Sequence, residues 1–379
     1  MAGTYDFIVV GSGIAGAGVA YELGAEARVL LVEAEHAHGY HTTGRSAALY
    51  AEGYGNAVIR GLTSASRGFF ETAHHGFCDY PVLTPRGCLF LGRPDQQDSL
   101  DALAEATGFA RVDAAEVLRR VPALRASYVG GAVFEPGAMD VDVDGLHQGF
   151  LRGAKMRGVD IRLNQRVEAV ALHGDHVSVR FVNGELCDAG ALINAAGAWA
   201  DEVAASAGVR AIGLHPLRRT AVIVDPPGKM GVGDWPAVID VDEQFYFKPE
   251  AGKVLASPAD ETPSAPCDAF AEEMDIAICI DRLQAAADID VRRIVRSWAG
   301  LRSFVADRSP VIGYDDMPGF FWLAGQGGYG VQTAPAAARA AAALALGRAL
   351  PADIAAAGVT APALSPRRLS RPDMARPRH

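Results

Sequence analysis

Three glycines and one carboxylate carry the first recognisable chemistry of this chain. Gly11, Gly13 and Gly16 stand at G-x-G-x-x-G spacing, and Glu33 lies twenty positions beyond Gly13. Glycine at these positions allows a tight turn, close backbone approach to a pyrophosphate, and close packing of the next helix on the preceding strand. A helix N-terminus there offers unpaired N–H donors and partial positive charge to the same pyrophosphate. An acid at the end of the following strand accepts from a ribose hydroxyl. Together these residues are equipped to hold a dinucleotide. A second glycine-rich turn, Gly325-Gln326-Gly327-Gly328-Tyr329-Gly330, sits near the other end of the chain.

The elements needed to position these groups are legible around them. Phe7, Ile8, Val9 and Val10 form an apolar run suited to a buried parallel strand; residues 14–23, ended by Gly24, suit the helix after it, and residues 28–32 the second strand. Residues 36–48 form a loop of small and hydroxyl residues, with a helical start expected near Ser46. His36, His38 and His41 fit no familiar ligand spacing, so no metal is expected. Residues 81–92 predict a strand pair leaving the first domain, 99–124 an amphipathic helix, and 144–157 a helix closed by Gly158 before a strand at 159–163. Residues 167–186 alternate as an antiparallel meander with turns at Gly174-Asp175 and Asn183-Gly184. A short buried strand at 191–194 then runs into Ala195, Ala196, Gly197, Ala198 and Trp199, where small residues permit close approach of a ligand.

From about residue 214 to 294 the pattern changes to alternating strands, such as 220–224 and 245–248, followed by a helix at 277–287. This predicts an antiparallel sheet in a second domain. A strand at 320–324 returns the chain to the first domain, and residues 334–350 read as a buried helix short of a membrane span. Beyond Leu369 the chain is basic and proline-rich, which predicts a mobile tail.

At 379 residues, with 50% hydrophobic and 21% charged residues, the chain has core enough for two packed domains. A formal charge of -10 argues against general nucleic-acid binding and leaves a local cationic pocket open. Five cysteines, Cys78, Cys88, Cys187, Cys267 and Cys279, give no C-x-x-C pair and no even framework. With no signal-peptide pattern at the N-terminus, a reducing, cytoplasmic setting is expected.

The N-terminal fingerprint, Thr43-Gly44-Arg45-Ser46, Asn194-Ala195-Ala196-Gly197-Ala198-Trp199 and the turn at 325–330 together resemble the flavin-dependent D-amino acid oxidase superfamily. Within it, Gly39-Tyr40-His41, Gly300-Leu301-Arg302-Ser303-Phe304-Val305-Ala306-Asp307 and Leu364-Ser365-Pro366-Arg367-Arg368-Leu369 are most similar to the D-arginine dehydrogenases. The resemblance implies an α/β flavoprotein with a discontinuous Rossmann-like FAD domain (1–80, 143–213, 298–379) and an antiparallel-sheet α+β substrate domain (81–142, 214–297). FAD rather than NAD also follows from glycine turns at both ends converging on one cofactor.

By the same resemblance the cofactor would meet Gly11, Gly13, Ile14, Ala15, Gly16, Glu33, Thr43, Arg45, Ser46, Ala47, Ala48, Val167, Ala196, Gly197 and Trp199. From the C-terminal turn it would meet Gly325, Gly327, Gly328, Tyr329, Gly330, Val331, Gln332 and Thr333. No cysteine lies in that turn, so the FAD is expected to be non-covalent. The implied reaction moves hydride from Cα of a D-amino acid to the flavin, and the imino acid then hydrolyses to a 2-oxo acid and ammonia. A bidentate arginine suits the substrate carboxylate: Arg302 is the first candidate, with Arg219 and Tyr246 as further contacts, Tyr54 covering the ring, and the Gly328 backbone facing the amine. Where D-arginine dehydrogenases carry a glutamate and a histidine, this chain has Cys88 and Leu49, which implies a side-chain pocket for apolar rather than guanidinium groups. The electron acceptor, a quinone, another carrier or oxygen, is left open. Oxidation of a secondary amine or 2-hydroxy acid, and a non-catalytic flavin-binding assembly subunit, are the alternatives.

Overall fold

The computed structural model describes residues 5–73, 76–228 and 231–369. The basic tail expected to be mobile lies outside these residues. An eight-stranded sheet organises the first half of the fold. At its centre Tyr5–Val10 lies between Val29–Val32 and Leu186–Asn194, parallel to both, and Asp160–Arg162 and Phe320–Ala324 extend the parallel set on either side. Val311–Tyr314 adds an antiparallel edge. Residues 7–10, Val29–Val32 and Phe320–Ala324 are buried on both faces, which is why they read as unbroken apolar runs. Phe7 and Val9 face a cluster built from the helices Ile14–Leu23, Ala57–Thr72, Val143–Met156 and Ala334–Ala345. Ile8 and Val10 face the meander Val167–Leu172 and Val177–Phe181 together with the helix Ala200–Ser206.

The second sheet has nine strands. Its neighbours run Thr262–Pro263, His215–Val224, Lys253–Ser257, Tyr246–Glu250, Ala237–Asp240, Cys88–Gly92, Gly131–Glu135 and Ala110–Val112, with Ile294–Phe304 paired along the free side of His215–Val224. One pair, Ala237–Asp240 with Cys88–Gly92, is parallel; the others are antiparallel. The helix Glu273–Ala286 packs on one face through Cys279 and Leu283, against Val222, Phe245 and Phe247. Among the described residues no helix is long and apolar enough to cross a membrane.

Four details differ from expectation. The strand Ile294–Phe304 takes residues 298 to 304 into the second sheet, so the boundary drawn at 298 falls inside a strand. Leu83–Pro85 and Cys88–Gly92 do not pair with each other: the first joins a three-stranded sheet with Met139–Val141 and Leu49–Tyr50, and the second lies between Ala237–Asp240 and Gly131–Glu135. Residues 99–124 are not one helix, because Gly108 ends Gln97–Thr107 at φ 73 and Asp113 caps a new helix, Ala114–Arg120. Ser46 is extended and begins no helix; Thr43–Arg45 makes a single 3-10 turn.

Candidate active site

Gly13 opens the helix Ile14–Leu23 without a side-chain cap, and the Ile14 N–H donates to Thr43 Oγ1 at 3.0 Å. The turn before it needs glycine: Gly11 has φ +98, and a Cβ there would stand 2.5 Å from the Ala195 carbonyl oxygen. Gly16 lies so close beneath that its Cβ would meet the Gly11 carbonyl oxygen at 1.8 Å. Glu33 sits at the end of Val29–Val32, where the Ser12 N–H and hydroxyl donate to its carboxylate at 2.9 and 2.8 Å and the Glu35 N–H at 3.1 Å.

From Glu33 a cavity of about 540 Å³ runs past the helix N-terminus to the second sheet. Its walls include Gly11, Gly13, Ile14, Ala15, Thr43, Arg45, Ser46, Ala47 and Ala48 from the first glycine turn and its facing loop. Val167, Ala196, Gly197 and Trp199 close one side; Gly325, Gly327, Gly328, Gly330, Val331 and Gln332 close the other. Arg302, Arg219, Tyr246, Tyr54 and Leu49 line the far end. Glu243 and Lys248 also line it and were missed from sequence. Lys248 had a signal, since it follows Tyr246 by two positions in one strand and so shares its face. Its ammonium is met by Asp140 at 2.8 Å and Glu250 at 2.9 Å.

Four expected residues do not line the cavity. Gly16 packs helix on strand, Tyr329 is buried beside Ile59 and Phe304, and Thr333 donates its hydroxyl to the Tyr329 carbonyl at 2.8 Å. Cys88 is 0% exposed, in a cluster with Ala51, Ala138 and Ala237, and burial followed by the charge of Glu135 pushes its thiol well up. Arg45 reaches the cavity but spends its guanidinium elsewhere, donating to the Ala269 and Ala299 carbonyls and pairing with Asp268.

The arginines are placed by sheet register. Arg302 stands opposite Leu217 and Arg219 opposite Gly300, so both project from one face as diagonal neighbours. Arg302 is 8% exposed, its Nη2 donates to the Tyr54 hydroxyl at 3.2 Å, and its Nη1 is buried with no hydrogen-bond partner. It lies against Gly328, where a Cβ would come within 1.7 Å of Nη2, so this stretch of the turn has no room for another side chain. Arg219 donates from Nε to the Asp260 carbonyl at 2.8 Å. Glu261 supplies the counter-charge, 3.8 Å from Arg302, 3.5 Å from Arg219 and 2.7 Å from Arg308. Burial raises the Glu261 carboxyl, but Arg308, Arg302 and Arg219 together outweigh this and hold it low. Burial likewise pushes the Tyr54 phenol up against the pull of Arg302. Arg302 Nη1 makes no hydrogen bond and has only Glu261, 3.8 Å away, for a charge partner, so a carboxylate in the cavity has the chemistry to supply the missing bond.

A model of the family described as FAD dependent oxidoreductase (DAO) matches residues 6–344. The chain belongs to this DAO family. Among curated proteins it is 23% identical over 361 residues to the hydrogen cyanide synthase subunit HcnC of Pseudomonas aeruginosa, covering 82% of this chain and 84% of that one. Among solved structures, glycine oxidase from Geobacillus kaustophilus superposes with a TM-score of 0.79 at 21% identity, covering 91% of this chain and 95% of that one. L-alpha-glycerophosphate oxidase from Mycoplasma pneumoniae with FAD bound superposes with a TM-score of 0.82 at 20% identity, covering 91% and 95%.

DAO-family membership makes FAD the cofactor, and the cavity fits it. An acceptor carboxylate, a glycine turn at a helix N-terminus and a second glycine turn follow one another along its length, the order that ribose, pyrophosphate and ring require. None of the five cysteines lines the cavity. The histidine that does, His41, pairs with Glu35 at 3.3 Å, and Glu35 also meets Arg166 at the Glu33 end. The yellow protein is therefore expected to release intact FAD on denaturation. Flavin that stays with the precipitate would overturn this. Glu33→Ala should weaken FAD retention by roughly 1.5 to 3 kcal/mol, the worth of a hydrogen bond to a charged group. Equal FAD affinity in the two proteins, by equilibrium dialysis, would place the ribose elsewhere.

Proposed function

We propose that this FAD-dependent oxidoreductase oxidises D-amino acids with apolar or varied side chains to imino acids, which hydrolyse to 2-oxo acids and ammonia. The observation that carries this reading is the buried Arg302 guanidinium, one nitrogen of which makes no hydrogen bond and has only the Glu261 carboxylate at 3.8 Å for a charge partner, lining the cavity with Arg219, Tyr54 and Tyr246. Arg302 fixes the substrate carboxylate, and the Gly328 backbone at its side faces the amine. Tyr54 covers the substrate and excludes water while the Cα–H bond is aligned. FAD, when bound, would accept the hydride that leaves Cα, while the amine nitrogen releases one proton as the C=N bond forms. Glycine oxidase among the relatives supports an amino-acid substrate, and an anchor of this kind argues against an assembly subunit.

Side-chain preference follows from the lining near Leu49, Ala237, Ile239 and Phe247. Asp140 is paired with Lys248 and Arg86, and Glu250 with Lys248; Glu243, the carboxylate lining this end of the cavity, accepts from the Tyr54 hydroxyl at 3.4 Å, and the D-arginine arm of the screen below tests whether it receives a guanidinium. The unpaired cysteines fit a reducing, cytoplasmic setting.

An anaerobic screen of D- and L-amino acids, N-methyl amino acids and 2-hydroxy acids, read as bleaching of the flavin absorbance, tests the proposal. Apolar D-amino acids should bleach it fastest, with D-arginine and D-lysine well behind. Bleaching by a 2-hydroxy acid or a secondary amine alone would replace the amino-acid reading with one of those. Reoxidation by oxygen or by a quinone then identifies the acceptor.

A further inference from the structure

We propose that Glu135 is a positioning residue of this site, its ionised carboxylate gripping the backbone of the loop that holds Tyr54 onto Arg302. The inference rests on the amino-acid reading above for its catalytic consequence, but not for the grip itself. Glu135 ends the strand Gly131–Glu135 and is 2% exposed. Its two oxygens accept from consecutive amides of the loop, Glu52 N–H at 2.6 Å and Gly53 N–H at 3.2 Å. Gly53 leaves room for this approach, since a Cβ there would stand 2.7 Å from the Phe109 ring and 3.0 Å from Glu135 Oε2. On the other side of the loop the Ala51 N–H donates to Gln332 Oε1 at 3.3 Å. The Tyr54 N–H closes the turn on the Ala51 carbonyl at 3.3 Å. Tyr54 is thereby delivered with its ring 5.0 Å from that of Tyr329 and its hydroxyl accepting from Arg302.

Two amide donors need two acceptor oxygens. A protonated carboxyl turns one of its oxygens into a donor and loses one of the two bonds. The groups around Glu135 do little to favour its charge. Cys88, its partner across the strands, is a buried neutral thiol. The Glu52 carboxylate is taken by the Tyr50 hydroxyl at 2.6 Å and by Arg67 at 2.7 Å, from the helix Ala57–Thr72, and Phe109 is apolar. Burial, set against the two amides and Arg67, lifts the Glu135 carboxyl to about 7. Because its pKa is raised in the fold, Glu135 contributes stability below the ordinary carboxylate range, and that contribution is lost as pH rises to about 7. The loop grip has the opposite pH dependence and is complete only above that value.

Glu135→Gln separates the two effects, because the amide supplies one acceptor and no charge. At pH 8.5 its Tm in the holoenzyme should equal or exceed that of the wild type. Its kcat/KM for the best D-amino acid should fall about tenfold, the lower range for one hydrogen bond to a charged group. Protonation of the substrate amine lowers kcat/KM toward low pH in both proteins, so the Glu135 contribution is read as the ratio of wild type to variant, which should shrink from about tenfold toward one as pH falls through about 7. Independently of turnover, amide exchange of a peptide spanning 50–56 should be faster in the variant than in the wild type at one pH. In the wild type alone, its protection relative to other peptides should drop as pH falls through 7. Unchanged exchange in the loop, in variant and across pH, would overturn the proposal, as would a wild-type to Glu135→Gln ratio of kcat/KM that does not change with pH. If no amino acid reduces the flavin, the functional reading fails while the exchange measurements still decide the grip.

Discussion

Arg302→Met is expected to raise the KM for the amino acid and to lower kcat/KM by at least about a hundredfold, roughly 2.7 kcal/mol of lost transition-state stabilisation. The guanidinium is buried at the inner end of the cavity, one nitrogen makes no hydrogen bond and lies 3.8 Å from the Glu261 carboxylate, and the other rests on Gly328 and donates to Tyr54. Methionine approximates the length of the side chain and keeps its packing, but removes the bidentate donor on which a carboxylate can be fixed in one orientation. Orientation is what the chemistry needs, since a small misplacement of Cα costs more than the same displacement at the rim. Glu261 keeps Arg308 and Arg219 as counter-charges, so the fold is not left with an unpaired carboxylate. FAD content should accordingly stay near normal. Steady-state kinetics with flavin absorbance as the stoichiometry control gives the answer. Activity within a few fold of wild type would mean that Arg219 or another group holds the carboxylate.

The reach of the sequence follows how local each feature is. The first glycine turn was legible because its requirements are met within ten residues: Gly11 must take a positive φ and Gly16 must tolerate the Gly11 carbonyl. The parallel strands were legible because burial on both faces leaves an uninterrupted apolar run. The turns of the meander were legible because Gly174 and Gly184 supply the positive φ at which the chain reverses, whereas the shift in register between Val167 and Ala169 had no such signal. Features decided by distant partners were not legible. Residues around Ser46 have a helical look, yet the Arg45 guanidinium is drawn to the Ala269 and Ala299 carbonyls and Trp298 donates to the Arg45 carbonyl at 2.8 Å, which hold the backbone out of a helix. Gly108 carried a stop signal that the amphipathic pattern around it masked. Glu135 and Glu243 had no local signal, because their relevance arises only when strands far apart in sequence meet the Tyr54 loop.

Cys88→Glu tests the one position where a linear match and the packed structure disagree. The sequence resemblance to the D-arginine dehydrogenases implies that a glutamate here would capture a guanidinium. In the structure Cys88 has no exposed surface and stands directly across the strands from Glu135, itself buried and already raised to about 7. A second carboxylate at that spot gains no cationic partner, adds volume to a filled cluster of Ala51, Ala138 and Ala237, and repels Glu135. The expected result is a loss of at least about 3 kcal/mol in stability, the range reached when an unpaired charge is buried. It should be partly relieved at low pH, where both acids are neutral. D-arginine turnover should not increase. Denaturant unfolding at pH 5.5 and 8.5, with D-arginine kinetics on whatever folded holoenzyme is recovered, checks both parts. A variant that folds normally and gains selectively for D-arginine would show that the substrate pocket opens through Leu49 and Ala237 as far as residue 88.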